Sequence, residues 1–271
     1  MNSALYKHMM KIHIKGMMNY AFGSAFYILL MFWLFPSFAG NNAALDELIK
    51  SLPPGMTNAF NLGSGFGTVE AFISGEYYGL LLVLIVSIFC IMFTTQLMAK
   101  LVDQGSMAYL LATPTTRGKV AITQAAVFLT GLLSIMTVTT LCGFAGYAMF
   151  IGNLSDFHGA AYLRMNLAAL LLFFAVGGIA FLVSSLANDE KKALGISAVL
   201  TFGFFSLDFI GKLSEKINWM RKLTYFSLYD PSGIIGGKTE TAALAWSVLI
   251  VIGLVTFAVG IALFRKRDLP L

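Results

Sequence analysis

Several sets of residues in this sequence have the side chains and spacing that chemistry uses. Ser232 to Thr239, SGIIGGKT, comes within one residue of the phosphate-binding pattern GxxxxGK[ST], with Ser232 where the first glycine belongs. That pattern works because glycine-rich backbone amides at a strand-to-helix turn cradle phosphates. No strand pattern precedes this copy and a long apolar stretch follows it, so nucleotide binding is not expected here. Gly63-Ser64-Gly65-Phe66-Gly67 is half of such a loop, also without a strand before it, and reads as a flexible connector. His8 and His13 are five residues apart, which puts them on different faces of a helix and favours interfacial side chains over metal ligands. Cys90 and Cys142 sit inside apolar runs and read as small buried residues rather than a disulfide framework. No Ser-His-Asp set falls on one side of a membrane and no metal cluster has ligand spacing. The chain is therefore expected to have no catalytic residues, no metal and no cofactor of its own.

The elements that surround these residues explain why. Hydrophobic residues make up 58%, charged residues 11%, and the mean hydropathy is +0.80, whereas a soluble domain averages about a quarter charged. Such a chain is a polytopic, all-α membrane protein. Its net charge of +5 then reports orientation rather than a nucleic-acid partner.

Six apolar spans follow from the hydropathy, at residues 17–39, 79–98, 120–150, 166–186, 193–210 and 242–264. Before the first, residues 1–16 carry Lys7, Lys11 and Lys15 at fourfold spacing opposite Leu5, Met9 and Ile12, the pattern of an interfacial amphipathic helix along a membrane surface. Pro36 is expected to close span 1. Ser37-Phe38-Ala39 resembles a signal-peptidase site, but the 19 apolar residues of Met17 to Phe35 exceed the 7–15 or so of a signal peptide, so an uncleaved helix is expected. Residues 40–78 form an outer loop with a short surface helix over 45–52. In span 3, the Thr and Ser residues either line a polar path or bond back to helix carbonyls. Asp208, near the end of span 5, is a functional candidate by default at membrane depth, yet lies within reach of the interface, and structural or interfacial use is expected. Residues 211–241 mix Lys and Arg with Trp219, Tyr225 and Tyr229 and read as a headgroup-level segment.

Residues 100–119, KLVDQGSMAYLLATPTTRGK, lie between spans 2 and 3 and are too polar for bilayer core. Asp103 is expected to cap a helix of about ten residues, roughly 15 Å long, with Met107, Leu110 and Leu111 on one face. Pro114 ends it. An apolar face with no core of its own calls for a partner.

Gly105 to Pro114, GSMAYLLATP, with Arg117 soon after, resembles the signature G-T-M-A-x-L-L-x-x-P of ABC-2 type permeases, the membrane subunits of bacterial ABC exporters. Ser106 replaces the usual Thr. Elsewhere the likeness is one of hydropathy layout, spread loosely over the whole length. The resemblance implies that residues 100–119 are the cytoplasmic coupling helix region, with Asp103, Gly105, Ser106, Met107, Tyr109, Leu110, Leu111 and Pro114 contacting an ATPase and Arg117 as a polar anchor. It likens Tyr225 to Ile235 to an outer re-entrant hairpin before span 6. It also implies a separate ATPase subunit, in two copies, that binds the ATP and Mg, and a second permease chain, most simply an identical one. The cargo expected is amphipathic or hydrophobic, such as a peptide, antibiotic, toxin or lipid, in the manner of antimicrobial-peptide exporters.

Charge sets the orientation. Segments 1–17, 100–119, 187–192 and 265–271 hold 11 Lys and Arg in 50 residues, against 7 in the 85 residues of 40–78, 151–165 and 211–241. The first set, both termini included, is expected on the cytoplasmic side of a bacterial plasma membrane. Two other classes remain open: a self-sufficient channel or ion-coupled carrier, which usually carries more intramembrane charge than Asp208 alone, and a sensory or scaffold protein that binds an ATPase and moves nothing.

Overall fold

A computed structural model describes residues 1–39, 47, 49, 51–60, 67–152, 157–237 and 240–268. The surface helix expected over 45–52 and the run Gly63–Gly67 fall largely outside the described residues. Among those described, all regular structure is helical, and six helices are long and apolar enough to cross a membrane, as the hydropathy implied.

The first is α1, Ser3–Ala39, 37 residues and so about 55 Å long at 1.5 Å per residue. Here the structure corrects two expectations. Residues 1–16 are not a separate interfacial helix but the first half of α1, because no proline interrupts residues 3–35 and the first turns have a helix to lie on. Leu5 and Met9 are buried, the Tyr6 hydroxyl meets Thr130 Oγ1 at 2.8 Å, and the Asn2 backbone N–H donates to Thr123 at 2.9 Å. Lys7, Lys11 and Lys15 are exposed along the opposite side. Nor does Pro36 close the helix; it lies inside α1, near enough to the end that losing one backbone bond is tolerated.

After α2, Pro54–Ala59, the second span also departs from expectation, beginning about ten residues early. Helix α3, Val69–Ile73, runs through a π-helical stretch, Ser74–Leu81, into α4, Leu82–Leu97. The run Ser74 to Tyr78 looks like loop in sequence because it is polar, but the hydroxyls of Ser74 and Tyr77 are satisfied inside the bundle. Ser74 donates to the Ala71 carbonyl at 2.8 Å, and Tyr77 is 2.6 Å from Ser24 of α1. Two short helices follow, α5, Ala99–Asp103, and α6, Ser106–Leu111. Span 3 is α7, Arg117–Phe150, started by Thr116, whose hydroxyl accepts from the Lys119 N–H. Five of its hydroxyls, those of Thr123, Thr130, Ser134, Thr139 and Thr140, bond back to the carbonyl four residues earlier.

Helix α8, Gly159–Leu186, starts seven residues before the expected 166; α9, Glu190–Leu213, is the fifth span. Gly177 of α8 lies where a Cβ would enter the Phe128 ring of α7, and Gly178 faces Thr256 and Gly253 of the last span. These glycines allow α8 to be the central helix, packed between α7 and the last span. Beyond α9 come two 3-10 helices, Glu215–Leu223 and Tyr225–Leu228, then α10, Pro231–Ile235, and finally α11, Glu240–Lys266. The near-match to a phosphate loop is thus a five-residue helix opened by Pro231 and capped by Asp230, whose carboxylate accepts the Gly233 N–H at 2.9 Å. Its Lys238 and Thr239 lie outside the described residues.

Candidate functional site

At Met98 the backbone leaves helical geometry and redirects the chain into α5. Gly105, at φ +69 in the left-handed region, then turns it into α6. The helix is six residues long rather than ten, and Asp103 is not its cap. Instead Asp103 closes α5, and its Oδ2 accepts the Glu190 N–H at 3.1 Å, supporting the N-terminus of α9. Lys100 reinforces that link, with Nζ 3.4 Å from Glu190 Oε1.

The apolar face of α6 points inward. Met107 is fully buried in the main hydrophobic cluster, and Leu110 and Leu111 are half-buried against it. The face expected to need an outside partner is covered by the protein itself, which pattern alone could not show because the covering residues come from distant parts of the chain. What α6 offers outward is Tyr109, 82% exposed, with Pro114, Ala112 and Thr113 beyond it and Asp103 and Gln104 before it. Gly105 and Ser106 are half-buried at the turn. Arg117 is half-buried and donates to the Arg267 carbonyl, while Arg267 donates to the carbonyls of Ser185 at 2.8 Å and Ala187 at 3.2 Å. Asn2 reaches Thr115 at 2.9 Å. These contacts gather residues 1–17, 100–119, 187–192 and the end of α11, the set that together holds 11 of the 18 Lys and Arg, at one end of the bundle.

The other end holds charged groups of its own. Asp208 is 3% exposed and paired with Lys212 Nζ at 2.9 Å and Arg221 Nε at 3.2 Å, which places it in a buried ion cluster rather than at an open interface. Glu70, which sequence reasoning left in a loop, is buried and accepts both the backbone N–H and the Nδ1 of His158, at 3.0 and 3.1 Å. The available signal was a lone carboxylate inside the apolar run Val69-Glu70-Ala71-Phe72-Ile73. Burial raises the Tyr225 and Tyr229 phenols above their ordinary range; the Tyr229 hydroxyl donates to the Tyr78 carbonyl at 3.1 Å. Among the described residues no group of His, Cys, Asp and Glu is placed to hold a metal ion.

Six spans, a short helix between the second and third, and a match of residues 4–269 to the model of the family described as ABC-2 family transporter protein decide the class. The chain belongs to the ABC-2 transporter family. No curated protein matches it. An ABC-2 permease is the membrane component of an ABC transporter and pairs with an ABC ATPase rather than being one, so the resemblance seen at Gly105 to Pro114 is borne out at the level of family. In this permease α6 occupies the connection between spans 2 and 3, with its inner face fixed to the spans and Tyr109 at its tip.

Proposed function

We propose that this permease is the membrane subunit of an ATP-driven exporter in a bacterial plasma membrane, two such chains carrying two ATPase subunits. The observation that supports this most directly is the location of α6: an exposed aromatic tip at the end of the bundle where the basic segments meet, which is the cytoplasmic end by the positive-inside tendency. In this reading Tyr109 and Pro114 touch the ATPase, flanked by Asp103, Gly105 and Ser106. Met107, Leu110 and Leu111 act from behind by fixing α6 to the spans, and Arg117 anchors the following turn. ATP and Mg bind in the ATPase. Its closure presses on α6, and the links from Lys100 and Asp103 to Glu190 carry that movement into α9. Lys7, Lys11 and Lys15 on the exposed side of α1 meet anionic headgroups.

The cargo that suits the spans is amphipathic or hydrophobic, because they carry aromatic, Met and hydroxyl side chains and few charges. Tyr109→Asp tests the coupling: it places a charge on an exposed position, so the permease stays folded while ATPase co-purification is lost. Retention of the ATPase by that variant contradicts the assignment. Reconstitution separates the other classes, since cargo movement without ATPase marks a carrier, and ATPase binding without ATP-dependent movement marks a sensor.

A further inference from the structure

We infer that the end of the bundle opposite α6 carries a binding site for a zwitterionic, phosphoethanolamine-type lipid, with its headgroup among Lys212, Arg221, Asn218, Glu215 and Asp230 and its chains against Trp246. A cavity of about 520 Å³ lies there, lined by all five of those polar residues. The 3-10 helix Glu215–Leu223 builds one wall: with three residues per turn, Glu215, Asn218 and Arg221 fall in a single row. Asp208 engages only the Nε–H of Arg221, and the remaining guanidinium N–H groups have no acceptor among the described residues. A planar fork beside an ammonium suits a phosphate.

Charge narrows the ligand further. Among the described residues, the two cations face three carboxylates, Asp208 behind them and Glu215 and Asp230 on the lining. A purely anionic head therefore meets an excess of negative charge, whereas a zwitterion places phosphate at Arg221 and ammonium toward Glu215 and Asp230. A second cavity of about 260 Å³ shares Asp230 and Gly233 with the first and is lined by Leu228, Ile234, Ala245 and Trp246, which provides an apolar continuation along α11. Trp219 and Leu223, each 59% exposed, mark the same 3-10 helix as lying at headgroup depth, where a lipid rather than a soluble ligand is at hand. This site is independent of the coupling contact, and its failure leaves that reading standing.

The three tryptophans make it testable. Trp33→Phe/Trp219→Phe leaves Trp246 as sole fluorophore in the full-length detergent-solubilised permease, which is titrated with chain-brominated phosphatidylethanolamine or phosphatidylglycerol. Half-quenching by the zwitterionic lipid is expected at about three- to fivefold lower mole fraction, the range one partly screened ion pair supplies. Adding Glu215→Gln/Asp230→Asn should abolish the preference while quenching persists; Asn keeps the cap of α10, so the fold is retained. Equal quenching by both lipids, or a preference that survives the double change, overturns the site.

Discussion

Met107 and Tyr109 are two residues apart on a six-residue helix, yet one is fully buried and the other 82% exposed. Met107→Ala removes a buried side chain and is expected to cost about 2–5 kcal/mol, which at about 2–4 °C per kcal/mol for a chain of this size lowers the melting temperature by roughly 4–20 °C. Tyr109→Ala touches nothing buried and should change stability by less than about 0.5 kcal/mol. At an interface the order reverses. Loss of an aromatic anchor costs about 2 kcal/mol or more, which is about a 30-fold rise in Kd for the ATPase. Both variants are purified in the same detergent, melted by intrinsic fluorescence and titrated with the ATPase subunit on an immobilised surface. The reasoning fails if Tyr109→Ala binds as wild type does, or if it melts as early as Met107→Ala.

Two further perturbations probe the packing of the bundle away from α6. Asp208→Asn leaves Lys212 and Arg221 without their buried counter-charge and should destabilise by about 3 kcal/mol, the low end for a broken buried pair because Arg221 is partly exposed; thermal melting at neutral pH checks this, and an unchanged melt contradicts the cluster. Gly177→Ala drives a methyl into the Phe128 ring and should cost about 1–3 kcal/mol, whereas Gly23→Ala, with nothing within 4 Å of the added carbon, should be neutral or slightly stabilising; equal melts for the two would argue against the close α7–α8 contact.

The six spans were legible because a bilayer demands long runs of apolar residues whatever their partners. Their ends were not. Lys7, Lys11 and Lys15 imitate a boundary, but Leu5, Tyr6 and Met9 find α7 beside them and the helix continues through Gly16. Ser74 to Tyr78 imitate a loop, but Ser74 bonds to the Ala71 carbonyl and Tyr77 to Ser24 of α1. In the candidate site, the residues GSMAYLLATP pointed to the family, while the direction each side chain faces depended on Gly105 adopting a left-handed turn and on a distant hydrophobic cluster closing over Met107. The ion cluster was half visible: Lys212 is one helical turn from Asp208, but Arg221 reaches it only after the chain reverses into a 3-10 helix. Glu70 was missed because its partner, His158, is 88 residues away.

The central claim is that the tip of α6 meets a nucleotide-hydrolysing partner inside the cell. It is tested most directly by placing a photo-crosslinking amino acid at position 109 in membranes of the native host. The expected product is a covalent adduct of permease and a Walker-type ATPase, formed at 109 and absent when the same group replaces Trp219 at the opposite end. An adduct formed only with lipid at 109, or one to the ATPase from 219 instead, would contradict it.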